Sequence, residues 1–262
     1  MTHRIATRVA AAATATGVVV GLIAATPAAF AASSPTVAAD ATTTPATPAT
    51  PMTASNPRCT TSTFGQAQQQ VEAALSGRVT QLNTLLGEVN NTGNRLTGAD
   101  RQTLVNDIST VELPGIEALQ PQAQQATTCR ALRTVARTMV LQYRVYVVMT
   151  PQTHLTVVAD AEASIEQTIV NLEPDITAAI QSAQAAGKDV SGAQSAFSDL
   201  QSKVTAAPSA SNGVATKVLA QTPGGYPANW SVFLTARTSL TNARNDLRAA
   251  YTDARQIRSE LS

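Results

Sequence analysis

Aromatic residues make up only 3% of this 262-residue chain, and charged residues only 13%. So few rings argue against a cleft lined with stacking aromatics, the usual means of gripping sugars or single-stranded nucleic acid. An alanine-rich apolar fraction argues equally against a β-sandwich, whose faces need large β-branched side chains. Histidine occurs twice, at His3 and His154. Only the second lies beyond the leader described below, which removes most histidine-based metal sites and hangs any Ser-His-Asp triad on one ring. There is no Gly-x-Ser-x-Gly elbow, no phosphate-cradling glycine loop followed by lysine and no His-Glu-x-x-His. The formal charge is +1, and it becomes −1 without Arg4 and Arg8. No net field exists to draw the chain to nucleic acid or an anionic membrane. Nothing in this inventory implies a cofactor, a metal or catalysis.

What the sequence does contain begins with an export pattern. Arg4 and Arg8 form a positive start, and Val9–Ala25 is almost wholly Ala, Val, Ile, Leu, Gly and Thr. Ala29-Phe30-Ala31 supplies a small-x-small cleavage site, so the expected cut lies between Ala31 and Ala32. A retained membrane anchor is the alternative. The short alanine-rich core without a basic stop-transfer flank favours cleavage. Residue 32 is not cysteine, which removes lipid attachment there, and no second long apolar run follows. The expected product is extracellular or at the cell surface, with no membrane span after processing. Residues 32–57 are rich in Ala, Thr and Pro, with a repeated Thr-Pro-Ala-Thr-Pro stretch, and lack the bulky apolar groups that offset ordering entropy. They suit a spacer, or a glycosylated stalk. The remaining residues, 58–262, form the folded part, with possible sub-bundles at 58–149 and 152–262.

Cys59 and Cys129 are the only cysteines. In an oxidising compartment an isolated pair forms a structural disulfide, and the spacing fits neither a Cys-x-x-Cys redox motif nor a metal site.

From Thr61 onward the apolar residues recur at helical intervals. Val71, Leu75, Leu82, Leu86 and Val89 mark one helix, and Cys129, Leu132, Ala136, Met139, Tyr143 and Tyr146 mark another. Residues 155–183 carry a seam of heptad type, with Glu162 its one charged member. Phe233, Ala236, Leu240, Ala243, Leu247 and Ala250 begin the clearest seam, which continues to Leu261. Asn90–Asn94 predicts a turn, Thr97 a helix start, and Gly187 a helix end. Pro114-Gly115 and Pro121 predict two short helices in place of one, and Pro208 predicts a further break. Thr150-Pro151 leaves two arrangements open, a hairpin turn or a kink in one long helix. The midpoint between the cysteines falls at residue 94, inside the first turn, as an antiparallel hairpin requires. The expected fold class is all-α: an elongated, antiparallel helical bundle with coiled-coil-like seams.

Three features are candidate interaction sites. Arg130, Arg133, Arg137 and Arg144 fall near one helical face, and no acidic residue occurs from Ala118 through Ala159. They suit an anion or a wall polymer, helped by Tyr143 and Tyr146. The competing expectation is internal: a turn at Pro151 pairs Arg137 with Glu162 and Arg133 with Glu166. Tyr226 and the sole tryptophan, Trp230, stand in a Gly/Pro loop, with Asn229 placed to cap the last helix. They either bind a partner or fold back to plug the bundle end. Asp160, Glu162 and Glu166 are compatible with acid–base work, but on an amphipathic helix three nearby acids usually form a solvated or salt-bridged face. His154 is weighed as a catalytic group and as an ordinary surface histidine, and its sequence context favours the latter.

Tyr143-Arg144-Val145-Tyr146 leading to Pro151 and His154-Leu155, then Ala185–Val190, the Thr222–Pro227 loop and the closing Ala-Arg-Asp helix carry a likeness. The chain resembles uncharacterised, secreted, Ala-rich helical proteins of high-GC actinobacteria over about half its length. That resemblance implies secretion, a helical fold and bacterial origin, and no activity. The functional expectation is a non-enzymatic helical scaffold or interaction protein of the bacterial cell envelope, contacting a wall polymer or another envelope protein. The alternative is a binding protein for a small or polymeric (glycan) ligand, using the 222–230 loop or the Arg130–Arg144 face.

Overall fold

The computed structural model describes residues 59–262, apart from the side chains of Asn94, Ser209 and Ala210. The expected leader, its cleavage site at Ala31–Ala32 and the linker to residue 57 lie outside the described residues. Among those described, every regular element is helical. No helix among them is long and apolar enough to cross a membrane.

Helix α1 (Phe64–Asn91) buries Leu75, Leu82, Leu85 and Val89, spaced by seven, three and four as one helical stripe demands. It gives way to a 3₁₀ turn, Gly93–Arg95, where Gly93 adopts φ +58°. Thr97 then caps α2 (Gly98–Asn106), its hydroxyl accepting the Asp100 N–H at 3.2 Å. A π-helical turn, Asp107–Glu112, leads directly into α3 (Leu113–Gln124). Two short α-helices are thus formed, as expected, but what separates them is the π turn just before Pro114 and not a break at Pro114-Gly115 or Pro121. The widened π register before Pro114 places the proline in the first turn of α3, where its missing N–H is not needed. Pro121 lies inside α3, which continues through it to Gln124.

The return path lies antiparallel to α1. Gln68 Nε2 donates to the carbonyls of Ala123 (2.8 Å) and Gln124 (2.9 Å). Just beyond, Cys59 and Cys129 form the expected disulfide with their Cα atoms 5.6 Å apart.

Thr128 caps α4 (Cys129–Thr138). Two π-helical turns follow, Met139–Tyr143 and Val145–Met149, separated by Arg144 in the left-handed region at φ 45°. Helix α5 (Thr150–Ala185) follows at once. Pro151 thus makes neither the hairpin nor the mid-helix kink expected of it. It occupies the first turn of α5, and the break in the right-handed path falls at Arg144. Gly187 (φ +80°) ends α5, with the Lys188 N–H bonded back to the Ala183 carbonyl. Helix α6 (Ser191–Ser211) passes through Pro208, so the break expected there is displaced to Gly213 at φ +69°. The short α7 (Val214–Leu219), a 3₁₀ turn at Pro223–Gly225 and α8 (Trp230–Leu261) complete the chain.

The helices form two compact units. The larger holds the described residues up to Ser164 together with Ala210–Asn242. Its main core joins Leu75, Leu82, Leu85, Leu104, Ile108 and Ile116, all fully buried. A second cluster in the same unit packs Val148, Ala159, Val214, Val218, Phe233 and Leu240. The smaller unit, Ile165–Ser209 with Ala243–Ser262, has its own core of Ile176, Ile180, Leu200, Val204 and Ile257, edged by alanines. A 2.6 Å Lys203–Asp253 ion pair flanks it. The molecule is an all-α helical bundle.

Candidate functional site

The most distinctive surface of the larger unit is built where the Arg144 break meets the loop before α8. Gln152, fully buried at the start of α5, donates its amide to the carbonyls of Val218, Leu219 and Gln221. The last carbonyls of a helix lack partners of their own, so this one side chain both caps α7 and anchors the root of the loop. Asn229 ties the other end, Nδ2 donating to the Thr222 carbonyl at 2.9 Å. Its Oδ1 is buried without a hydrogen bond, so Asn229 is a loop clasp and not the side-chain cap expected.

On this frame stands a row of rings. Phe233 belongs to the core, Trp230 meets it edge-on at 6.3 Å between centroids, and Tyr226 meets Trp230 edge-on at 6.4 Å. The guanidinium of Arg144 lies 4.6 Å from the centroid of the Tyr226 ring, a cation–π distance. Trp230 keeps 42% of its surface exposed, while Tyr226 and Arg144 are half-buried. The tryptophan therefore neither plugs the bundle end nor hangs free. It is held from below by Phe233 and from the side by Tyr226, with one face open to solvent. Sequence spacing gave no reason to join Arg144 to Tyr226, and the structure brings them into contact.

The other arginines behave differently. Arg130, Arg133 and Arg137 are exposed on the outer face of α4, opposite buried Leu132 and Val135. Among the described residues no carboxylate pairs with any of them. The expected Arg137–Glu162 and Arg133–Glu166 pairs are not formed, because the chain does not fold back at Pro151. The left-handed residue also takes Arg144 out of their row. Tyr143 and Tyr146 do not assist them either. Tyr143 lies against Gly115, in space a Cβ there would fill, and Tyr146 lies under the Arg78 guanidinium at 5.0 Å.

Two of the three candidate acids of α5 are withdrawn from solvent. Asp160 and Glu162 are both buried. Asp160 Oδ2 accepts the Thr97 N–H at 2.7 Å, which places the carboxylate over the start of α2. Burial raises its pKa above the usual aspartate range, the Thr97 N–H opposes this, and neighbouring Asp100 adds to the rise. Glu112, on the π turn, went unremarked in the sequence pattern. It is buried with Oε2 lacking a hydrogen bond, and burial, aided by Asp107, pushes its pKa up to about 8. Its pairing of buried core and carboxyl has no sequence marker, since nothing beside Glu112 in the sequence distinguishes it from a surface carboxylate. His154 Nε2 meets Glu88 Oε2 at 3.0 Å with both side chains about half exposed. Among the described residues, no cluster of three or more His, Cys, Asp or Glu side chains is placed to hold a metal ion.

No protein-family model, curated protein or solved structure matches this chain.

Proposed function

We propose that this protein is an exported, non-enzymatic helical interaction protein of the bacterial cell envelope, and that it contacts its partner through the Arg144–Tyr226–Trp230 surface. One observation carries the reading: Trp230 is exposed yet braced by Phe233 and Tyr226. A large rigid ring with one open face is the kind of residue that dominates binding energies, because little side-chain entropy remains to be lost on contact. A pure scaffold has no use for it, and burying the indole in the bundle end would serve stability better. The export pattern, the Ala/Thr/Pro segment before residue 58 and the resemblance to secreted actinobacterial proteins support the envelope location.

The test is co-sedimentation of the full chain with isolated bacterial envelopes. Trp230→Ala is expected to abolish retention while leaving the helical content and melting temperature nearly unchanged. Retention equal to that of the unaltered protein would refute the reading.

A further inference from the structure

The near-neutral formal charge hides a segregation that only the fold reveals. Two long segments contain no Asp or Glu: residues 118–159 and residues 200–245. The fold brings the first together with the Ala210–Asn242 part of the second, because the π turn Met139–Tyr143 packs on the Pro223–Gly225 turn and Arg144 meets Tyr226. The same place gathers exposed large apolar side chains. Val140 and Leu141 are 45% and 42% exposed, and Trp230 and Leu234 are 42% and 49% exposed.

Their order along the helices is informative. Along α4 and the π turn after it, the outward residues run Arg130, Arg133, Arg137 and then the exposed Val140 and Leu141. On α8 they run Trp230, Leu234 and then exposed Arg237. With about 1.5 Å of rise per residue, Arg137 lies about 5 Å behind the apolar pair. By the same rise, Arg237 lies about 10 Å behind Trp230. Both stripes thus place apolar groups at the meeting point and cations behind them, with Arg137, Arg133 and Arg237 within about 10 Å and Arg130 about 15 Å back. A flat polyanion has no use for the apolar tip, and a sugar chain has none for the cationic collar. A bilayer surface matches both, since interfacial apolar groups sink about 5–10 Å, to the boundary where lipid phosphates sit.

Resting on the interaction reading above, we infer that the partner is an anionic lipid surface: Trp230, Leu234, Val140 and Leu141 enter the headgroup region, and Arg133, Arg137 and Arg237 meet the phosphates. Guanidinium groups suit this role, because they bind phosphate through paired N–H donors and are always charged. The engagement is peripheral, as no described helix can span.

The experiment mixes the full chain with vesicles of phosphatidylglycerol and phosphatidylcholine, or of phosphatidylcholine alone. Trp230, the sole tryptophan, reports its own surroundings. Its emission should shift to shorter wavelength, and be quenched by brominated lipid tails, only with the anionic vesicles. Replacing Arg133, Arg137 and Arg237 together by Gln should lower partitioning on the order of a hundredfold, at about fivefold per arginine near an anionic surface. The triple variant keeps the N-terminal segment, so binding through that segment would survive it. An unmoved Trp230 emission, or partitioning indifferent to the triple change, overturns the lipid assignment. If envelope retention then persists on lipid-extracted wall, the interaction reading stands with a different partner. If retention is absent from every envelope fraction, that reading fails as well.

Discussion

Glu112 shows how much a single residue here departs from its type. It is enclosed among the core of the larger unit with one carboxyl oxygen unbonded, and it holds its proton up to about pH 8. In the unfolded chain the same group ionises near 4.5. Its contribution is therefore fully present below the lower value and is lost as pH rises through the higher one. Between the two, the folded state binds the extra proton, so stability falls with rising pH. Glu112→Gln keeps shape and removes the titration. Denaturant melts should show the variant gaining on the unaltered protein as pH rises from 4.5 to about 8 and no further above that, by on the order of a few kcal/mol. Identical pH profiles would show that the carboxyl is not held as described. Gln152 is the second such residue. Its amide serves the end carbonyls of α7 and the start of the loop. Gln152→Ala should cost about 1–3 kcal/mol for the Leu219 and Gln221 carbonyls it deprives of a donor, Val218 keeping the Gln221 N–H, and loosen Trp230, which fluorescence anisotropy would detect.

At the scale of elements, the helices and the α1–α3 hairpin were legible because periodicity, the Asn90–Asn94 turn and the cysteine spacing are independent records of one geometry. The prolines were not legible. Pro114 and Pro151 sit in first turns, where a missing N–H costs nothing, and Pro208 lies inside α6. A proline symbol in a sequence does not say which of these places it holds. The break at Arg144 carries no marker at all, since arginine rarely adopts φ 45° and nothing in its neighbours announces it. The candidate site was legible only in parts for the same reason: Tyr226 and Trp230 stand in a recognisable loop, but their link to Arg144 depends on that break. Gly213 is the complementary case. No atom lies near its absent Cβ, so Gly213→Ala tests backbone conformation alone. It should lower stability by about 1–2 kcal/mol, and Gly213→Asn should lose less.

For the whole molecule, the disulfide and the surface chemistry matter most. The Cys59–Cys129 bridge closes a loop across 70 residues of sequence. Chain-entropy arithmetic makes it worth up to roughly 4 kcal/mol. Reduction should lower the melting temperature, and an unchanged value after verified reduction would show that the hairpin is rigid without it. Charge is distributed just as unevenly as covalent restraint. A chain of formal charge +1 looks featureless until parts of two acid-free segments meet in one surface.

The central claim is that this surface is a contact site organised around Trp230, and the indole itself can test it. In the free protein its fluorescence should be open to acrylamide, as 42% exposure requires. Added bacterial envelopes should shield it, and Tyr226→Ala with Arg144→Ala should remove the shielding. Quenching that is equal with and without envelopes would contradict the account, as would an indole already inaccessible in the free protein.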